Sequence, residues 1–378
     1  MRGMNLRFIP PTRTLCCAFA FVVLLMLSNS AHAEPPATPH YKDHSRLRIY
    51  LDGAGQERPI TNAADWGKRR SHILAGMQQA MGPLPDRTKL PAFDLKIESE
   101  IKQAGVRRQS ISFASGDGDR VTAYLWLPEA PAGARSPAML ALHQTSDLGK
   151  GEVAGQGKNA NQAYGIELAQ RGYVVLAPDY PSFGGSKNYD FSRGGYASGT
   201  MKGIFNHMRC VDLLSARDDV DPERIGVIGH SLGGHNSMFV AAFDERLKVI
   251  VTSCGWTPFH DYYGGKLTGW TSDRYMPRLK DTYGLDPDRV PFDFYEVVAA
   301  LAPRPFFSCS PVRDENFDVA GVRKAAKNAG EIYELLQSSR NLQIRYPDCE
   351  HDFPVETRRE AYEFIDAALS HQPARQVP

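Results

Sequence analysis

Apolar and polar positions follow two different patterns on either side of residue 137. Before it, the segments 93–101, 107–114 and 120–128 alternate apolar with polar residues, which predicts half-buried strands. No helical pattern separates these segments, and the turn "SGDGD" joins the second to the third, so we expect antiparallel pairing. Ahead of the strands, apolar residues at helical spacing predict a helix over 65–81.

Beyond residue 137, short and almost wholly apolar runs alternate with helical patterns. Apolar strands separated by helices are typical of βαβ units, in which a parallel sheet is buried on both faces. The sequence therefore predicts a three-layer α/β fold, with a mainly parallel sheet and antiparallel N-terminal strands. Strands are predicted at 138–143, 173–181, 224–231, 247–255, 304–311 and 342–352, and helices at about 161–172, 204–214 and 232–243, between the last two strands and after the final one.

The chain divides into a leading segment and a main domain. Residues 34–119 are expected to form an N-terminal arm, irregular to about residue 60, followed by the helix and the first strands, and residues 120–378 to form the main domain. Within this domain, residues at about 256–290 are rich in aromatic and turn residues and separate two strands. Two interpretations remain open for them: an insertion packed by its own rings, or a wall over a binding pocket.

The first residues have the layout of a secretory signal peptide. Three arginines precede an apolar run from about Leu15 to Leu27, and the small-residue pattern A-H-A ends at Ala33. The run is shorter than the ~20 residues that a membrane-spanning helix needs, although an uncleaved anchor remains an alternative. We therefore expect residues 1–33 to be removed and the mature protein to be exported, to the periplasm or beyond the cell, without stable membrane insertion.

Composition and charge limit the classes of partner. With 42% hydrophobic and 23% charged residues, the chain matches ordinary globular proteins. A net charge of +1 without a basic block argues against nucleic acid or an anionic membrane as a partner.

Four cysteines follow the signal segment, namely Cys210, Cys254, Cys309 and Cys349. They form no C-x-x-C motif and no tight Cys/His cluster, so no metal site is expected. Their spacing selects no disulfide pairing. A Cys309–Cys349 bond is the pairing we expect, because both residues lie near the ends of strands predicted to be neighbours.

The segment "IGVIGHSLGG", residues 225–234, places Ser231 between a predicted strand and a predicted helix. Gly229 and Gly233 flank the serine in the pattern G-x-S-x-G, where only small neighbours let strand and helix pass closely. Such a turn lifts the serine hydroxyl above the C-terminal edge of the sheet, where ligands gather. It also aims the amide of Leu232 toward a developing oxyanion. The alternative is a tight strand-to-helix connection without chemistry.

A serine hydroxyl needs a base to become a nucleophile, and the base needs an acid to orient it. His351 is the best-placed base, because it follows the last predicted strand in "PDCEHDFP". Asp314, past the strand before, is the preferred acid. Asp318 stays open as the alternative, because the register of that loop cannot be read from sequence.

Other polar residues near predicted strand ends are assigned lesser roles. His230 and His235 adjoin the serine and are expected to pack rather than to act as the base. The backbone amide of Gln144, supported by His143, is the candidate for a second oxyanion donor; the alternative is a polar loop start. Asp179 is expected to brace the loop after its strand.

At these positions the chain resembles the α/β-hydrolases, over roughly residues 120–369. The segments "GYVVLAPDY", "DPERIGVIGHSLGG", "LAPRPFF" and "YPDCEHDFP" are similar to the dienelactone hydrolase and acetyl xylan esterase-like branch. The resemblance implies a serine esterase without cofactor or metal, acting on small-molecule or carbohydrate acyl esters, with Ser231 as nucleophile, Asp314 as acid and His351 as base. Dienelactone hydrolases proper have a cysteine where this chain has Ser231, and glucuronoyl esterases have an arginine where it has Leu232.

The predicted function is therefore an exported serine hydrolase that cleaves carboxylic esters through an acyl-enzyme. A serine peptidase or amidase of the prolyl-oligopeptidase-like type is an alternative, although residues 34–119 are too few for the N-terminal propeller of such peptidases. A catalytically inactive binding protein with the same fold is the other alternative.

Overall fold

The computed structural model describes residues 39–116, 118–129, 133–373 and 375. They belong to one compact unit, Thr38–Pro378. The predicted signal peptide at 1–33 lies outside the described residues. Within the described part of the chain, no helix is both long and apolar enough to cross a membrane.

A nine-stranded mixed sheet forms the middle layer. Its strands are β3 (Lys96–Gln103), β4 (Val106–Gly116), β5 (Asp119–Leu127), β6 (Ser136–Leu142), β7 (Val174–Pro178), β8 (Val220–His230), β9 (Leu247–Ser253), β10 (Phe306–Cys309) and β11 (Leu342–Arg345). Their spatial order is β11-β10-β9-β8-β6-β7-β5-β4-β3. Strands β6 to β11 pair in parallel, and β5, β4 and β3 continue the sheet from β7 in antiparallel pairing. The predicted parallel sheet with antiparallel N-terminal strands is confirmed.

The leading segment differs from its prediction in one respect. Two three-residue strands, β1 (Ile49–Leu51) and β2 (Glu57–Pro59), pair antiparallel outside the main sheet, within the arm predicted to be irregular. Three residues are too few to establish a period of two, so the sequence pattern held no signal for them. Because β3 and β4 precede residue 120 and belong to the same sheet as the later strands, the leading segment and the main domain share one core.

Helices cover both faces of the sheet. The helices are α1 (Ala63–Met81), α2 (Tyr164–Gln170), α3 (Gly199–Ser215), α4 (Leu232–Phe243), α5 (Arg278–Asp281), α6 (Phe294–Ala300), α7 (Val319–Leu335) and α8 (Val355–Ala368). One continuous apolar cluster contains side chains of α1, α3, α4, α6 and α7, and a second contains those of α2 and α8. The three-layer α/β architecture is thus the observed one.

Strand β6 shows why this sequence needs helices on both faces. Leu140 and Leu142 point into the first cluster, whereas Met139 and Ala141 point into the second. Successive side chains of a strand alternate between faces, so a strand that is apolar at every position is stable only when both faces are covered.

The parallel strands bring four chain segments to one edge of the sheet. Strands β6, β8, β10 and β11 run in the same direction, so their carboxyl ends lie side by side. Gln144 follows β6, Ser231 follows β8, Asp314 follows β10 and His351 follows β11. The fold therefore gathers the candidate residues from segments as much as 207 positions apart, from Gln144 to His351 (351 − 144).

Candidate active site

Ser231 lies in a strained turn between β8 and α4. Its backbone angles are φ 54° and ψ −116°, in a region that non-glycine residues rarely adopt. Such a conformation costs on the order of 1–3 kcal/mol and persists only when the surroundings hold it. Here the Ser231 amide donates to the Ser253 carbonyl at 2.8 Å, which ties the turn to the end of β9.

The two glycines of G-x-S-x-G are required by close backbone approaches. A Cβ at Gly229 would lie 2.2 Å from the Gly233 carbonyl oxygen, and a Cβ at Gly233 would lie 2.0 Å from the carbonyl oxygen of Leu142, the last residue of β6. Both distances are far inside van der Waals contact, and the obstacle in each case is backbone. In this chain, therefore, both glycines of the motif are required sterically, because no side chain fits at either position.

Replacing Gly233 with alanine should destabilise the protein and lower its activity. The added methyl must displace the end of β6 or the start of α4, and overpacking of this kind typically costs about 1–3 kcal/mol. Gly67→Ala is the matched control, because nothing lies within 4 Å of a Cβ there and the residue is exposed on α1. Gly67→Ala should be neutral or stabilising by up to about 1 kcal/mol. Denaturant unfolding of both variants measures this, and equal stabilities would contradict the steric account.

Asp314 and His351 form an ion-pair-like contact. His351 Nδ1 lies 3.0 Å from Asp314 Oδ1 and 2.9 Å from Oδ2. The Asp314 carboxylate is buried, and Oδ1 also accepts hydrogen bonds from the amides of Asn316 and Phe317, at 2.9 and 3.2 Å. These contacts fix the carboxylate in the orientation that faces the imidazole.

Asp318 occupies a different position from Asp314. Its side chain caps α7, accepting from the Ala320 amide at 2.8 Å. Capping the N-terminus of a helix is a common structural role of aspartate. Of the two acids left open by the sequence, the structure brings Asp314 to His351.

Ser231 and His351 line the same cavity. The hydrogen bonds of the described residues include none between the Ser231 hydroxyl and the His351 ring. Serine–base hydrogen bonds are often long in the absence of substrate and tighten in the substrate complex. The cavity thus brings Ser231 together with the His351–Asp314 pair, and the three residues follow one another in the chain order serine, acid, histidine.

The two histidines beside Ser231 are buried in ring contacts. His230 packs against His351 with ring centroids 4.9 Å apart, and its Nδ1 lies 3.0 Å from Ser253 Oγ. Burial, with a smaller contribution from His351, holds the pKa of His230 well below its usual range. His235 packs against Trp270 at 4.7 Å, and burial lowers the pKa of His235 to about 3. Both rings are therefore neutral near pH 7.

His143 holds the loop that carries Gln144. Its Nε2 accepts from the Tyr180 amide at 2.9 Å, so the ring proton is on Nδ1, which donates to the Gln144 carbonyl at 2.6 Å. Burial lowers the pKa of His143, which keeps this neutral form. The peptide bond between Gln144 and Thr145 is thus anchored beside the cavity that Gln144 and Ser231 line.

Asp179 braces the same loop from β7. Its buried carboxylate accepts from the Lys150 amide at 2.9 Å, the Gly185 amide at 2.9 Å and the Thr122 hydroxyl at 2.7 Å, and it pairs with the Lys150 ammonium group. The acid is fully engaged in cross-linking the loops after β6 and β7.

The loop that carries His351 is anchored by its neighbour. Asp352 accepts from Asn159 Nδ2 at 2.9 Å and from Asn161 Nδ2 at 2.6 Å, which joins it to the segment before α2. Sequence reasoning left Asp352 without a role. Its partners lie almost 200 positions earlier in the chain, and no local pattern marks such a contact.

Cys254 is a further residue beside the Asp–His pair that sequence reasoning missed. Its thiol donates to the Asp352 carbonyl at 3.2 Å, and Cys254, Asp314 and His351 present potential ligand atoms within 4.8 Å of one another. Three such groups could hold a soft metal ion, a cluster that was not expected. In the structure the carboxylate and imidazole contact each other and burial raises the pKa of the thiol, which opposes the thiolate a metal requires.

The expected Cys309–Cys349 disulfide is not formed. All four described cysteines are free thiols. The two strands are neighbours as predicted, but Cys309 is paired in register with Arg345 and its Sγ faces the Asp352 carbonyl at 3.9 Å. Neighbouring strands do not suffice for a bond, because a disulfide requires specific Cα and Cβ separations and Cys349 lies in the loop four residues beyond the end of β11.

Two cavities meet at Ser231. The first, of about 320 Å³, is lined mainly by amide, hydroxyl and imidazole groups: Gln144, Thr145, Asn159, Gln162, His230, Ser231, Asn316 and His351. The second, of about 140 Å³, shares Thr145, Ser231 and Asn316 with the first and is otherwise lined by Leu232, Gly269 and six residues that carry rings: His235, Tyr262, Tyr263, Trp270, Tyr275 and Phe317. We call them the polar cavity and the aromatic slot.

The aromatic-rich insertion at 256–290 supplies five of the eleven residues that line the slot. Trp256 and Phe259 are buried in the first apolar cluster, and Tyr262, Tyr263 and Tyr275 line the slot. Trp270 belongs to the cluster and also lines the slot. The base of the insertion is therefore packed by its own rings, and its inner surface lines a cavity beside Ser231.

A family comparison agrees with this arrangement. A profile described as "Alpha/beta hydrolase family" matches residues 163–363, more than half of the chain. The chain belongs to the alpha/beta hydrolase family. The match includes Ser231, Asp314 and His351, and begins after the segment that carries Gln144.

Two relatives and one solved structure are similar to this chain at 21–28% sequence identity. "Putative hydrolase YtaP" of Bacillus subtilis (strain 168) is 28% identical over 67% of this chain and 84% of its own length. "Carbohydrate esterase MZ0003", from an unknown prokaryotic organism, is 24% identical over 76% of this chain and 77% of its own. Among solved structures, a glucuronoyl esterase from Solibacter usitatus superposes with a TM-score of 0.66 at 21% identity, covering 88% of this chain and 100% of that one.

Proposed function

We propose that this protein is an exported serine hydrolase that cleaves carboxylic esters, with carbohydrate esters as the substrate class. The observation that carries the proposal is the 2.9 Å contact between buried Asp314 and His351, at the rim of a cavity that also contains the strained Ser231. The similarity to a carbohydrate esterase supports the substrate class. The signal-peptide layout of residues 1–33 supports export.

In the first half of the reaction, His351 removes the proton from the Ser231 hydroxyl as its oxygen attacks the ester carbonyl. The carbonyl oxygen becomes an oxyanion, which accepts hydrogen bonds from the amide of Leu232, at the N-terminus of α4, and from that of Gln144. Asp314 stabilises the imidazolium. The intermediate then collapses, the alcohol leaves with the proton from His351, and an acyl group remains on Ser231.

In the second half, a water molecule attacks the acyl-enzyme. His351 takes a proton from the water, the oxyanion forms again in the same place, and collapse releases the carboxylic acid while the proton returns to Ser231. The net reaction is ester plus water to acid plus alcohol, so no oxidant, reductant or other co-reactant is needed.

An ester and the matching amide separate this proposal from its alternatives. We expect hydrolysis of 4-nitrophenyl acetate by the purified protein and far slower hydrolysis of 4-nitroacetanilide. Comparable rates on the amide would favour the peptidase or amidase alternative. Absence of hydrolysis across short aryl, feruloyl and acetylated-sugar esters, with ligand binding still detectable, would favour the inactive binding protein.

A further inference from the structure

The polar cavity and the aromatic slot differ in chemistry on the two sides of Ser231. Most described residues that line the polar cavity end in an amide, a hydroxyl or an imidazole, and none is a lysine, an arginine or a carboxylate. Six of the eleven residues that line the slot carry rings, and Thr145, Ser231 and Asn316 line both cavities. An ester placed with its carbonyl carbon at Ser231 must put its acyl group on one side and its alcohol on the other.

The position of His351 determines on which side of Ser231 the alcohol part of the ester lies. As the group that returns the proton to the leaving oxygen, it must lie next to the alcohol when the acyl-enzyme forms. His351 lines the polar cavity and not the slot. The alcohol therefore occupies the polar cavity, and the acyl group occupies the aromatic slot.

The polar cavity contains hydrogen-bond acceptors that the protein leaves unused. The side-chain oxygens of Gln144 and Gln162 are buried and have no partner among the described residues. Gln162 as a whole is 1% exposed. A buried amide oxygen without a partner costs about 1–3 kcal/mol, which a hydroxyl donor from a ligand would recover. Several hydroxyls on one uncharged alcohol are the property of a sugar.

The aromatic slot matches a single flat ring. Its volume is about 140 Å³. A cavity of roughly that size accommodates one benzene molecule. Tyr262, Tyr263 and Tyr275 contribute rings to the lining, while Trp270 Nε1 is buried and has no hydrogen-bond partner among the described residues. An oxygen substituent on the acyl ring would accept a hydrogen bond from this nitrogen.

We propose that the substrates are esters in which an aromatic acyl group, held in the aromatic slot, is attached to a hydroxyl of a neutral sugar held in the polar cavity. This assignment rests on the proposed ester hydrolysis and adds the orientation of the bound ester. The carbohydrate is the alcohol that leaves, not the acyl group that stays on Ser231. An ester of a uronic acid carries its sugar on the opposite side.

Two esters with the ring and the sugar exchanged test the direction. In 6-O-benzoylglucose the aromatic ring is on the acyl side and the sugar on the alcohol side, and in benzyl glucuronate the positions are reversed. We expect kcat/KM at least ~10-fold higher for 6-O-benzoylglucose, within the range that one binding pocket can discriminate. Equal values, or a preference for benzyl glucuronate, overturn the assignment.

Two glutamine variants test the polar cavity separately. Gln162→Leu and, independently, Gln144→Leu should lower kcat/KM for 6-O-benzoylglucose more than for ethyl benzoate, by roughly 3- to 10-fold per lost hydrogen bond. Gln170→Leu, at the end of α2 and outside both cavities, should leave the ratio of the two substrates unchanged. Equal losses on the two substrates in both cavity variants would show a structural effect only and contradict the sugar assignment.

Failure of the proposed function is distinguishable from failure of this inference. If Ser231→Ala leaves hydrolysis of 4-nitrophenyl acetate unchanged, the ester-hydrolase proposal falls and the inference with it. If hydrolysis depends on Ser231 but neither exchanged ester is turned over, the inference alone is overturned.

Discussion

Ser231→Ala is expected to lower kcat for a simple aryl ester on the order of 10⁶-fold, as loss of the nucleophile does in serine hydrolases whose catalytic groups act as a unit. The variant loses one oxygen from a turn whose strained φ of 54° is held by the backbone. The Ser231 amide donates a hydrogen bond to the Ser253 carbonyl, and Gly229 and Gly233 are closely packed. The fold should therefore survive. Steady-state kinetics, with circular dichroism to verify folding, measure the effect.

Ser71→Ala is the matched control. Ser71 is an exposed serine on α1 whose hydroxyl donates only to the Lys68 carbonyl of its own helix. Its replacement should leave kcat within about twofold, because surface substitutions usually change stability by less than ~0.5 kcal/mol. A Ser231→Ala protein that remains folded and keeps more than a few per cent of the activity would exclude Ser231 as the nucleophile.

Asp314→Asn is expected to lower kcat on the order of 10⁴-fold, the effect of the same change in a serine protease triad. The amides of Asn316 and Phe317 donate to Asp314 Oδ1, so an asparagine would keep its oxygen there and turn its NH₂ group toward His351. That group donates, so the imidazole would have to accept at Nδ1 and carry its proton on Nε2. A ring in that tautomer cannot take the serine proton.

Asp318→Asn is the control for this second prediction. Asparagine caps a helix about as well as aspartate, so the hydrogen bond to the Ala320 amide and the position of α7 should persist. We expect kcat of Asp318→Asn within a few-fold of the parent protein. A large loss in Asp318→Asn with normal activity in Asp314→Asn would reverse the two assignments.

The sheet could be predicted from the sequence because burial on both faces leaves a strong local signal. An uninterrupted apolar run such as "AMLAL", followed by a loop and a helix, is typical of a strand that is buried on both faces of a parallel sheet. Helix α1 was predicted to within two residues for the same reason, since Trp66, Ile73 and Met77 lie on one buried face. The β1–β2 pair escaped prediction because three-residue strands contain no period.

The candidate site was predictable to the extent that each residue sits next to a strand end. Ser231 has its own motif, whereas Asp314 and His351 were placed by their order and their distance from predicted strands. The choice between Asp314 and Asp318 needed the path of the loop after β10. The roles of Cys254 and Asp352 depend on contacts between loops that are far apart in the chain. The absence of the Cys309–Cys349 bond depends on the path of the loop after β11, which carries Cys349 and which no local sequence pattern specifies.

Labelling with a fluorophosphonate probe tests the central claim most directly. The probe reacts with a serine only when a base activates it and an oxyanion site stabilises the adduct. We predict a single adduct by intact-mass spectrometry, mapped by peptide sequencing to Ser231, and no adduct in Ser231→Ala. A folded protein that is not labelled, or labelling that persists in Ser231→Ala, would contradict the account.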